Sequence, residues 1–144
     1  MDGRICAFEK LEVWQLSRTF VTTIYKLIST FPHEERYALC DQIRRAAISV
    51  PSNIAEGCAR TSPKEQKHFI EIAYSSLMEV YCQLIIAVDL GYTTTENVNE
   101  VKALIDRIAQ MLNALRASQT QRLNASTPKR LNDSKRINGN KRKI

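Results

Sequence analysis

Residues 98–115 read VNEVKALIDRIAQMLNAL, and Val98, Val101, Ile105, Ile108, Leu112 and Leu115 follow one another at steps of 3, 4, 3, 4 and 3. Steps alternating between three and four hold one stripe of a helix on the same side, so this stretch is a helix with a buried seam. A narrow seam of this kind has to be covered by other helices, and its spacing is that of helical bundles. Thr93 or Thr94 stands just ahead of it as a hydroxyl N-cap.

Three further helices lie upstream. The third begins at Ser62-Pro63-Lys64-Glu65, which offers an N-cap serine, a proline at the first helical position and a glutamate completing a capping box. Phe69, Ala73, Ser76, Val80, Leu84 and Ala87 then mark one face, and Gly91 supplies the stop. The second runs from about Glu34 to Ala59, with Glu34 and Glu35 in its first turn and a seam of Cys40, Ile43, Ala47, Val50, Ile54 and Cys58. Pro51 lies inside it, removing one backbone hydrogen bond and crowding the Ala47 carbonyl, so a kink is expected there, with a break into two short helices as the alternative. Ser49, Ser52 and Asn53 are placed to serve the freed backbone groups. The first helix runs from about Lys10 to Thr30 and carries Leu11, Trp14, Val21, Ile24, Leu27 and Ile28; Phe31-Pro32 ends it.

These readings predict an all-α, antiparallel, up-down-up-down four-helix bundle with a kinked second helix, spanning residues 1–117. Leu16, Phe20, Ile48, Ile72, Ile86, Leu104 and Met111 lie off the main seams. Either the monomer packs them in a wider core or self-association buries them.

Residues 118–144 differ in kind. They hold Arg122, Lys129, Arg130, Lys135, Arg136, Lys141, Arg142 and Lys143 against one acid, Asp133, a net of +7 out of the chain's +6. The other 117 residues therefore carry −1. Arg122-Leu123-Asn124, Arg130-Leu131-Asn132 and Arg136-Ile137-Asn138 form a degenerate repeat that is expected to be a disordered basic tail. Its cations suit sequence-independent phosphate binding, and an inert low-complexity extension is the competing reading.

The four cysteines, Cys6, Cys40, Cys58 and Cys82, have no metal-ligand spacing, and there are only two histidines. No metal and no cofactor is expected, and buried free thiols are the expectation for the cysteines. Nothing N-terminal resembles a signal peptide, and the apolar run Leu84–Val88 is too short to span a bilayer, so a cytoplasmic location is expected. Glu65-Gln66-Lys67-His68 has the Glu-x-x-His spacing of di-metal bundles without a second copy, and reads as a surface cluster. No nucleophile with its base and no carboxylate pair stands out, so no enzyme is expected.

The segments Phe8–Gln15, Phe31–Glu35 and Gln42–Gly57, together with Leu90-Gly91-Tyr92, resemble the bacterial four-helix-bundle family encoded in intervening sequences of the large-subunit (23S) ribosomal RNA gene. The likeness covers residues 8–117. It implies an antiparallel bundle that assembles into a homopentamer, with no catalytic residues and no cofactor. A related branch, the accessory proteins of diversity-generating retroelements, implies nucleic acid and a reverse transcriptase as partners.

Within the bundle, Arg44 and Arg45 are the candidate nucleic-acid contacts. Adjacent helical residues point about 100° apart, so they serve different faces, and a structural ion pair is the competing role. Pro51, Asn53 and Glu56 are read as structural, the latter two repairing the proline turn, and Gln42 as a hydrogen-bonding side chain between helices. The reading as a whole is a non-catalytic, homo-oligomeric accessory protein that binds RNA or another nucleic acid. The alternative is a structural oligomer that recruits a protein and binds no nucleic acid.

Overall fold

The computed structural model describes residues 4–127. Four α-helices follow in order: α1 Glu12–Ile28, α2 Leu39–Ala59, α3 Pro63–Asp89 and α4 Thr95–Ser126. Short 3-10 turns at Arg4–Lys10 and His33–Glu35 precede α1 and α2. Each helix packs on the next in sequence and α1 closes the ring on α4, while the diagonal pairs α1/α3 and α2/α4 stand apart. That is a four-helix bundle, and no strand occurs among the described residues. Connections of three residues between α2 and α3 and five between α3 and α4 leave those pairs no choice but to run antiparallel. The contacts agree: Ser49 faces Ser76, and eight residues farther along α2 Gly57 faces Phe69, seven residues back along α3.

The helix boundaries follow local chemistry. Ser62 Oγ accepts the Glu65 amide at 3.4 Å at the start of α3, and Thr94 Oγ1 accepts the Asn97 amide at 3.2 Å at the start of α4. α3 ends in a Schellman turn: Gly91 at φ 76° donates to the Val88 carbonyl and Tyr92 to the Ala87 carbonyl, both at 2.9 Å.

The core takes Phe20, Ile24, Ile43, Val50, Ile54, Leu77, Val80, Leu84, Ile105, Ile108 and Leu112, each at 2% exposure or less. Each such side chain contributes about 1.5–3 kcal/mol of burial. Phe20, expected off the seam, is fully buried, so α1 buries a wider stripe than its nominal seam. α3 is long and apolar enough to cross a membrane by length and composition, but it is a bundle helix whose apolar stripe packs against α2 and α4.

Three boundaries differ from the sequence reading. α2 starts at Leu39 rather than near Glu34, because His33–Glu35 forms a 3-10 turn and the Glu35 carboxylate accepts the Leu39 amide from outside the helix at 3.3 Å. α1 starts at Glu12, behind a separate 3-10 turn. α4 does not stop near residue 117 but continues to Ser126, nine residues into the expected disordered tail. Its stripe carries on through Leu115, buried Gln119 and half-buried Leu123, so packing holds those turns helical.

Cys40 is buried, whereas Cys58 and Cys82 are exposed, against the expectation of buried thiols. The α2 seam passes through Gly57 in place of Cys58, where the Phe69 side chain and the Gln66 carbonyl of α3 pack closely against the glycine.

Candidate nucleic-acid interface

α2 carries Arg44 and Arg45 on neighbouring faces, and the structure gives them separate tasks. Arg45 pairs with Asp41 one turn earlier at 3.3 Å, and its side chain is 81% exposed. An ion pair in that setting contributes about 0–1 kcal/mol, so Arg45 remains a surface charge. Arg44 is half-buried and donates from Nη2 to the Arg36 backbone carbonyl at 2.6 Å. That bond fastens the α1–α2 connection to α2 without neutralising the guanidinium, since a carbonyl carries no net charge. Among the described residues no carboxylate forms an ion pair with Arg44 or with Arg36.

Most other arginines of the bundle are engaged. Arg60 pairs with Glu56 at 3.4 Å and lies over the Phe69 ring, Arg107 pairs with Glu12 across α1 and α4, Arg18 lies over Trp14 and Arg116 over Tyr74. Arg36, which the sequence reading passed over, therefore ranks with Arg44 as an uncompensated cation. The motif that drew attention, Phe31–Glu35, stops one residue short of it.

Arg122 sits on the last turns of α4, exposed, beside a small cavity lined by Leu11, Cys58, Gln66 and Gln119. It is the first cation of the basic C-terminal run. Lys129, Arg130, Lys135, Arg136, Lys141, Arg142 and Lys143 lie outside the described residues.

Around Pro51, α2 stays helical without a break. Asn53 Nδ2 donates to both the carbonyl and the Oγ of Ser49 at 2.8 Å, and Ser49 Oγ meets Ser76 Oγ of α3 at 2.8 Å. Asn53 thus acts on the proline turn through Ser49 and not through the Ala47 carbonyl. Glu56 takes no part; its partner is Arg60, because i,i+4 spacing sets the two charges side by side. Gln42 is exposed and is not held between helices. Glu65 gives its amide to Ser62, and His68 lies edge-on to Phe69 at 5.6 Å.

Comparison with known proteins places this geometry. A family model described as 23S rRNA-intervening sequence protein matches residues 9–114, which takes in α1 to α3 and most of α4. A solved structure from Bacteroides thetaiotaomicron, described as a protein of unknown function from the S23 ribosomal protein family, is similar with a TM-score of 0.65 and 21% identity. The match covers 72% of this chain and 97% of that one, and at that identity it speaks for the fold. No curated protein matches.

Proposed function

Since the chain belongs to the 23S rRNA-intervening sequence protein family, we propose that it is a non-catalytic, homo-oligomeric accessory protein of the cytoplasm that binds RNA or another nucleic acid. The observation that carries this reading is the distribution of charge. Residues 118–144 hold a net +7 beside a body of −1, and α4 presents Arg122, the first of those cations, at the end of the bundle. A cationic run without aromatic residues recognises phosphates and is indifferent to base sequence. An oligomer gathers several such runs, and avidity then exceeds what one run supplies. Ribosomal RNA and the RNA handled by a reverse transcriptase are the candidate nucleic acids.

The test is fluorescence anisotropy with a labelled RNA across a salt series, comparing the full chain with one ending at Ser126. Counterion release makes log affinity fall linearly with log salt, steeply for the full chain and shallowly once the seven C-terminal cations are gone. No salt-sensitive binding by the full chain overturns the reading.

A second reading rests on a different observation. Ile48, Ile85, Ile86 and Leu90 are 44–54% exposed on α2, α3 and the turn after α3. An oligomer that recruits a protein through such a surface, with no nucleic acid involved, returns a partner that survives nuclease treatment.

A further inference from the structure

A cavity of about 390 Å³ opens at the bundle end where α1 passes into α2, and Tyr25, Pro32, His33, Arg36, Cys40 and Arg44 line it. Its size is that of a small-molecule site, which spans roughly 300–1,000 Å³. Three features give it an anionic preference. First, both Arg36 and Arg44 face it, and neither pairs with a carboxylate among the described residues. Two guanidinium groups at one opening repel each other, and an anion between them turns that repulsion into two charge-assisted hydrogen-bonding partners. Second, no carboxylate among the described residues lines it; the Glu35 carboxylate of the connection keeps its charge but is held outside the lining, Oε2 accepting the Leu39 amide at 3.3 Å and Oε1 the Tyr92 hydroxyl at 2.8 Å. Third, Cys40 is the second residue of α2, so the cavity borders the positive end of a 21-residue helix.

The arrangement is held in place. The Arg44-to-Arg36 carbonyl bond joins the two segments that carry the guanidinium groups, so a ligand would meet a largely formed site. A phosphate alone would leave most of the cavity empty. Tyr25, 39% exposed, is among the lining residues and supplies an aromatic ring beside the two guanidinium groups. Aromatic rings at such positions take the face of a nucleobase.

We propose that this cavity binds a nucleoside monophosphate unit, its phosphate between Arg36 and Arg44 and its base against Tyr25, either as a free nucleotide or as the 5′-phosphorylated end of a strand. The strand form rests on the nucleic-acid reading above; the cavity itself does not.

Isothermal titration of the full chain with AMP, inorganic phosphate and adenosine tests it. AMP binds, phosphate binds more weakly, and adenosine does not bind measurably. Arg36→Gln and Arg44→Gln each weaken AMP binding by about tenfold or more, as loss of a hydrogen bond to a charged group requires. Arg45→Gln removes the same charge one residue away and leaves AMP affinity unchanged. Arg36→Gln is the decisive variant, because it keeps the backbone carbonyl that Arg44 uses and leaves the α1–α2 connection fastened. Absence of AMP binding at millimolar concentration overturns the proposal, as does an equal loss in Arg45→Gln or AMP binding no tighter than phosphate. A paired comparison of 5′-phosphorylated and 5′-hydroxyl RNA separates the two sources: a preference for the phosphorylated strand that Arg36→Gln abolishes assigns the strand end, and AMP binding without that preference assigns the free nucleotide. AMP binding by a full chain that shows no salt-sensitive RNA binding overturns the nucleic-acid reading and leaves the cavity standing.

Discussion

Gly57 shows how one residue sets the distance between two helices. It lies two residues before α2 ends at Ala59. Its larger role is steric: a Cβ there would stand 3.3 Å from the Phe69 Cβ and 3.4 Å from the Gln66 carbonyl oxygen. Both neighbours are fixed to the α3 backbone, so neither can swing aside. Alanine gains up to about 1 kcal/mol of helix propensity over glycine, but pushing α3 away costs about 1–3 kcal/mol of packing. Gly57→Ala is therefore expected to lower stability by about 1 kcal/mol in urea unfolding, the sign opposite to that of the same change on an exposed helix face. Tyr92 offers a pH-dependent counterpart. Its hydroxyl donates to Glu35 at 2.8 Å, and that hydrogen bond, with the nearby negative charge, pushes the phenol above its ordinary value. A raised folded value means the bond's contribution is complete below about pH 10 and fades as pH climbs through the shifted value. Unfolding midpoints of the protein and of Tyr92→Phe should thus differ at about pH 8 and converge in strong alkali.

Among the elements, legibility tracked how local the deciding interaction is. The starts of α3 and α4 were readable because Ser62 and Thr94 cap backbone amides three residues away, and Gly91 was readable because a Schellman turn needs a left-handed residue. The start of α2 was misread because Glu34 and Glu35 imitate a helical first turn. In fact Glu35 caps from outside, and nothing in the chain's spacing distinguishes the two arrangements. The end of α4 was misread for another reason: a glutamine occupies the seam position after Leu115. Gln119 is 6% exposed and its Oε1 lacks a partner, a pattern that apolar periodicity cannot detect. The bundle's candidate arginines were legible as residues but not as partners, since Arg44 meets Arg36 only through the fold of the connection. A chain ending at Ser126 should melt within a degree or two of the full protein, whereas one ending at Ala117 should lose Gln119 and Leu123 from the bundle end. Its melting temperature should fall by several degrees, about 4 °C for each 1 kcal/mol in a domain of this size. Equal melting of the two truncated chains would mean the last turns of α4 contribute nothing to the fold.

At the level of the whole molecule, the four helices satisfy one core and still leave apolar surface over. Ile48, Ile85 and Ile86 are each 44% exposed and Leu90 54%, while Val80 and Leu84 on the same α3 helix are fully buried. Single exposed apolar residues are ordinary, but isoleucines on two adjacent helices together with a leucine just past α3 are what a self-associating bundle would use. Because these side chains lie outside the monomer core, charge placed on them should separate assembly from folding. Ile86→Glu is expected to leave the helical circular-dichroism signal intact while moving the sedimentation coefficient toward a single chain, since a buried carboxylate without a partner opposes association by several kcal/mol. The same substitution bears on RNA binding. If several C-terminal runs act together, dissociating the oligomer weakens RNA binding with every cation retained, by a factor of about 10² or more where avidity operates. Dissociation without any loss of RNA affinity would show that one chain's cations suffice, and a sedimentation coefficient already that of a monomer before substitution would remove self-association from the proposed function.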